Sequence, residues 1–257
     1  MDDWLSVSLV YDLGPGALVA VWVAITIGAI VQGSVGFGLA VLAAPLLALI
    51  EPRLLPGPML LAGFVLGALM VYRDRESIHL GGIGWAILGR LGGTIVAAVF
   101  FAGLPRDTMS VLFGVLVLLA VAMSASGVHV LPTRWTVLVA GTLSGFMGTI
   151  TSIGGPPMAL VYQAERGARI RGTLSGFFMV GTAGSVTALA VVGRFGRSEL
   201  LATLLLLPGI LAGFTLSSRV ATYLDRGRIR PVILILSTIA GLAVLARSLL
   251  ALQGSSS

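Results

Sequence analysis

Apolar residues in this chain come in long unbroken runs, not in the one-sided or alternating patterns of half-buried elements. Ten runs stand out: Ala17–Val31, Phe37–Ile50, Leu54–Tyr72, Ile83–Gly103, Thr108–Gly127, Trp135–Ile150, Pro156–Ala164, Gly172–Gly193, Glu199–Val220 and Ile229–Leu252. A helix crossing the hydrocarbon core needs about 20 apolar residues. Most of these runs reach or approach that length. The pattern predicts an all-α polytopic membrane protein with eight to ten transmembrane segments. The second run is short and the seventh far shorter, and each follows a glycine-rich, uncharged turn. These two places predict broken or re-entrant helix pairs.

The two turns are Gln32-Gly33-Ser34-Val35-Gly36-Phe37-Gly38 and Gly148-Thr149-Ile150-Thr151-Ser152-Ile153-Gly154-Gly155-Pro156-Pro157. Setting Ser34 on Ser152 gives an offset of 118 residues, which also pairs Gly36 with Gly154, Arg53 with Arg171 and Gly63 with Gly181. The chain therefore divides into an N-terminal segment (1–16, non-cytoplasmic), a first membrane repeat (17–130), a second membrane repeat (131–252) and a disordered tail (253–257). If all ten segments cross, each repeat has five and the halves are inverted. If the second and seventh only re-enter, each has four and the halves are parallel. With ten crossings and the N-terminus outside, ten arginines fall inside and five outside. That positive-inside imbalance favours ten segments.

Composition narrows the class further. Hydrophobic residues make up 57% of the chain and charged residues 10%, with a mean hydropathy of +1.05. A soluble domain of this length carries about a quarter charged residues, so a soluble globular protein is excluded and the lipid bilayer is the solvent. The net charge is +6, all of the basic residues are arginine, and they are scattered between apolar runs, so no nucleic-acid partner follows. There is no cysteine. The N-terminus lacks a basic stretch and a small-residue cleavage site, so no cleaved signal peptide is expected.

The candidate chemistry lies at the turns. Broken helices in a membrane survive where they line a cavity or are buried in protein. Helices starting after Gly36–Gly38 and at Pro156 would present backbone N–H groups and positive dipole ends to an anion. Ser34, Thr149, Thr151 and Ser152 would add hydroxyl donors. Gln32, Gly33, Phe37, Gly154 and Gly155 complete the predicted binding region. The alternative reading is close helix packing by small residues. Arg53 and Arg171 open the third and eighth segments, either as gates at the two mouths or as interfacial anchors. If its helix starts near Gly81, Arg90 lies about 13 Å into the membrane at 1.5 Å per residue. A buried arginine is a functional hypothesis by default, and no Asp or Glu lies inside a span to pair with it; the alternative is snorkelling to the interface. His79 and His129 have no companions at metal-ligand spacing. No metal, no cofactor and no catalytic residue is expected. The absence of lysine excludes a Walker-type ATPase within this chain.

These motifs resemble the sulfite exporter TauE/SafE family. Ser144–Pro157 looks like its second-half signature. Gly33-Ser34-Val35-Gly36-Phe37-Gly38, with Pro45 after it, looks like the first-half one, and Arg171-Gly172-Thr173 resembles the basic opening of the following helix. The resemblance covers about residues 17 to 250. It implies a multi-pass permease of the bacterial inner membrane that exports small sulfur-containing anions such as sulfite or an organosulfonate. The expected function is thus a secondary permease working by alternating access at a repeat interface. The alternatives are an anion channel or a membrane-embedded non-transport protein. The expected partners are a small anion and the bilayer, with a homodimer allowed by the glycine-rich helix faces.

Overall fold

The computed structural model describes residues 13–77, 83–162, 168–224 and 229–255. Residues 1–12, His79, Gln163, Glu165, Arg166, Arg226 and Arg228 lie outside the described residues. Among the described residues ten α-helices follow in order: α1 (Pro15–Val35), α2 (Leu39–Ile50), α3 (Gly57–Asp74), α4 (Ile83–Gly103), α5 (Arg106–Ala125), α6 (Arg134–Thr151), α7 (Gly155–Tyr162), α8 (Ala168–Val191), α9 (Arg197–Leu224) and α10 (Ile229–Ser255). Short 3-10 turns cover Pro52–Leu54 and Arg75–Ser77. No strand occurs among the described residues. Seven helices, α1, α3, α4, α5, α8, α9 and α10, are long and apolar enough to cross a membrane. Val99, Ile95 and Leu250 are typical of the outer surface, each more than half exposed. In water such a surface would be untenable; in lipid it is the solvated face.

Local signals set the helix ends. Pro15 begins α1, where its missing N–H costs nothing. Gly36 ends α1 in the left-handed region (φ 101°), its N–H donating to Gln32 O. Thr133 and Thr136 form a reciprocal capping box at the start of α6. That helix ends on Ser152, also left-handed at φ 64°. α10 continues through Gln253 to Ser255, beyond the point where the sequence placed the start of a tail.

Specific contacts fix the helix directions. Trp22 Nε1 donates to Leu205 O (2.8 Å) and Ser34 Oγ to Ser217 O (3.1 Å), so α1 and α9 run side by side in the same direction. Thr203 Oγ1 reaches Pro58 O (3.4 Å) and Arg73 Nη1 donates to Ser217 Oγ (3.0 Å), which adds α3 to that direction. We call the face where α1 begins proximal and the face where it ends distal. α2 doubles back on α1, with Gly28 against Leu39 and Gly38 against Val31. Arg194, just past α8, donates to Phe101 O near the end of α4, so α4 finishes at the proximal face. α6 runs parallel to α4, with Gly141 against Ala86 and Gly145 against Arg90. Val130 N donates to Leu160 O (3.1 Å), which brings the end of α7 back to the distal connection between α5 and α6. α5 and α10 are antiparallel, Gly114 facing Leu245 and Gly241 facing Val117 and Leu118. Consecutive helices alternate in direction through all ten.

Candidate functional site

The breaks after α1 and α6 meet inside the helical bundle. The Phe37 ring lies so close to Gly155 that a Cβ there would come within 3.0 Å of it. Around this contact is a cavity of about 40 Å³. That volume accommodates about three water-sized groups. Of the predicted residues, Gln32, Phe37, Gly38, Arg90, Ser152, Gly154 and Gly155 line it. Leu39, Val41, Met59, Leu60, Ile153 and Phe178 make most of the remaining wall apolar.

Arg90 is the cation of the cavity. It projects from the middle of α4 and is 2% exposed, so it does not snorkel. Its Nη1 donates to Ser144 Oγ (2.6 Å) and, at a long 3.5 Å, to Ser144 O. Ser144 Oγ in turn donates to Gly154 O (2.6 Å), linking the arginine to the α6–α7 break. The guanidinium carbon sits 5.0 Å from the Phe177 ring centroid and 5.5 Å from that of Phe178, within cation–π range. Three glycines make room for it. A Cβ on Gly181 would overlap Arg90 Nε, one on Gly154 would crowd Nη1, and one on Gly148 would approach Nη2. Arg90 Nε has no hydrogen-bond partner. Among the described residues no carboxylate pairs with Arg90; the acidic partners found belong to Arg53 and Arg73.

The expected hydroxyl donors are committed elsewhere. Ser34 is still in the last turn of α1 and donates to Ser217 O, away from the cavity. Thr149 bonds Thr94 and Ser185. Thr151 donates to Met147 O (2.7 Å) and accepts from Ile153 N. Ser152 lines the cavity but donates to Pro56 O (3.3 Å). The helix starts are also more occupied than the sequence implied. Gln32 Oε1 accepts from Leu39 N (3.2 Å), satisfying the first N–H of α2. α7 begins at Gly155, and Pro156 and Pro157 remove two N–H groups from its first turn. The side-chain donors left facing the cavity are therefore the Arg90 guanidinium and the Gln32 amide NH2, whose oxygen already holds α2.

Other predicted residues serve the packing. Gly33 lies under Ser217, where a Cβ would be 2.5 Å from the serine side chain, and its carbonyl accepts from Arg73 Nη2 (2.8 Å). Gly36 packs on Arg171. Pro156 is buried in the first turn of α7 and does not line the cavity. Arg53, at the proximal face, forms a two-pronged pair with Glu51: Nε to Oε1 at 2.8 Å and Nη2 to Oε2 at 2.9 Å. This pairing holds the Glu51 carboxyl below the ordinary carboxylate range. Arg171, at the distal face, has a buried Nε without a hydrogen-bond partner. Sequence reasoning missed Ser144, Phe177, Phe178 and Thr182. Its repeat offset singled out Gly181 without a role, yet that glycine is what admits Arg90. No cluster of three or more potential metal ligands occurs among the described residues.

Among the described residues, ten alternating helices with lipid-facing apolar surfaces enclose a cavity whose buried cation has no carboxylate partner, which defines a multi-pass membrane protein with an internal polar site. The sequence matches the family described as Sulfite exporter TauE/SafE over residues 16–244, and the chain belongs to it. The family places the chain among membrane transporters, not enzymes. Comparison with curated proteins and with solved structures returns no match.

Proposed function

We propose that this chain is a secondary permease that exports a small anion, sulfite or an organosulfonate, across the bacterial inner membrane. The observation that carries the reading is Arg90: fully buried, lining the cavity where the two helix breaks meet, and paired with no carboxylate among the described residues. A buried cation in that position is costly unless something neutralises it, and an anionic substrate does so. The family's name supplies the sulfur oxyanion.

Alternating access between two inverted repeats completes the proposal. Its support is a set of matched contacts. The fourth helix of each half packs parallel to the first helix of the other: α4 on α6, and α9 on α1. The third helices pair with each other, as do the fifth. Gly89 and Gly93 on α4 correspond to Gly209 and Gly213 on α9, and all four glycines sit against the backbone of the opposing first helix. Helix pairs of this kind at a pseudo-two-fold interface are how many secondary transporters expose one site to each side in turn.

The test is uptake of radiolabelled sulfite into sealed proteoliposomes. Saturable uptake that falls about a hundredfold in Arg90→Gln, with the variant still folded and inserted, is the expected result. Wild-type uptake in that variant removes Arg90 from the site. No uptake by the native protein of sulfite, sulfoacetate or taurine removes sulfur anions as the substrate.

A further inference from the structure

Resting on the permease reading, we propose that the site selects small monoanions, one per transport cycle, and rejects dianions of the same shape. The first argument is charge. Among the described residues Arg90 is the one ionisable residue on the cavity wall. A monoanion beside it leaves a net charge of zero in a low-dielectric pocket, whereas a dianion leaves one uncompensated negative charge, as unfavourable there as the bare cation.

The second argument is the asymmetry of the two halves. The glycine pairs Gly89/Gly93 and Gly209/Gly213 place Ile210 where Arg90 would have its counterpart. Ile210 is wholly buried in an apolar cluster with Ile25, Met59 and Leu206. The second repeat thus contributes no balancing cation. The third argument is the donor inventory. Beyond the guanidinium, the Gln32 amide NH2 is the remaining side-chain donor on the wall, because Ser152 and Thr182 donate to the backbone carbonyls of Pro56 and Phe178. Such a wall offers few side-chain hydrogen bonds to an ion, and Leu39, Val41, Ile153 and Phe178 make much of the rest apolar. A singly charged head with one apolar face, such as an alkanesulfonate, fits that division. A doubly charged oxyanion, which needs donors on all sides, does not.

The experiment uses the full chain purified in detergent and two probes of similar size and different charge, methanesulfonate and sulfate, at fixed ionic strength. Ligand that binds the folded state raises the thermal midpoint with concentration, which reports its affinity. The expected result is a methanesulfonate-dependent rise, at least tenfold weaker with sulfate, and lost in Arg90→Gln. Sulfite flux into proteoliposomes should rise on acidification across the range where sulfite becomes hydrogensulfite. Equal responses to both probes, with both lost in Arg90→Gln, would overturn monoanion selection and leave the permease reading intact. Sulfate binding more tightly than methanesulfonate would do the same. No response to either probe, together with no sulfite flux, would overturn both readings.

Discussion

Arg90 owes its place to residues that lack side chains as much as to those it touches. Gly181 on α8 leaves the gap through which the arginine stem passes, and a Cβ there would collide with Nε, Cδ and Cζ. Gly181→Ala therefore has to push the guanidinium out of the cleft formed by Phe177, Phe178 and Ser144. The expected outcome is loss of anion transport comparable to that of Arg90→Gln, with a lowered thermal midpoint from overpacking of about 1–3 kcal/mol. Adding Arg90→Ala to Gly181→Ala should raise the midpoint above that of Gly181→Ala alone, because truncation at Cβ removes the Cδ and Nε that the new Cβ would meet, but should not restore the transport. Gly176→Ala on the same helix, where nothing lies within 4 Å, is the control and should leave both unchanged. Wild-type transport in Gly181→Ala would mean that the arginine's position in the cleft is immaterial to the substrate.

At the scale of elements, helix contact comes down to backbone against backbone. Gly89 and Gly93 on α4 face Gly141 and Gly145 on α6, and a Cβ on any of the four would overlap a main-chain carbonyl oxygen of the other helix. Without a hydrophobic driving force between helices in lipid, such close approach through small residues is what holds them together. Gly145→Leu should accordingly cost folded, monodisperse protein on size exclusion after extraction. Gly92→Ala, on the lipid-exposed side of α4 with open space around it, should stay within about 0.5 kcal/mol of the native midpoint. The helices themselves were legible in the sequence. The run Ile83–Gly103 is α4 to the residue, because apolar runs bounded by Gly, Pro and Arg leave the backbone one satisfied conformation in lipid. The site was legible only in outline. Setting Ser34 on Ser152 paired two residues that the fold treats differently: α1 keeps its helical phase through Val35 and turns Ser34 toward α9, whereas α6 ends at Thr151 and leaves Ser152 in the turn. Nor does a linear pattern show that three helices bring Ser144, Phe177 and Gly181 around one arginine. That convergence depends on rotations about each helix axis, which the repeat offset does not encode.

The whole molecule raises the question of how often the chain changes sides. α7 has eight residues and α2 has twelve, both short of a bilayer. Yet α7 ends where Leu160 O accepts from Val130 N, at the distal face, and α8 sets out from that face with Arg171 against Gly36. The arginines divide accordingly. Arg73, Arg75, Arg134, Arg171 and Arg219 lie toward the distal face, and Arg53, Arg194, Arg197 and Arg247 toward the proximal one. On this division the positive-inside rule leads us to propose that the distal face is cytoplasmic. The chain has no native cysteine, so single substitutions report sidedness without background. Val128→Cys lies in the distal connection between α5 and α6, and Gly196→Cys in the proximal connection between α8 and α9; both positions are exposed. Three alternating helices, α6, α7 and α8, separate them. A membrane-impermeant maleimide should therefore label Gly196→Cys on intact cells and Val128→Cys only after permeabilisation. If α7 merely re-entered, the two positions would share a side and label together. The four-plus-four arrangement would then replace the inverted one, and exchange of the cavity between faces would need a motion other than the rocking of two inverted halves.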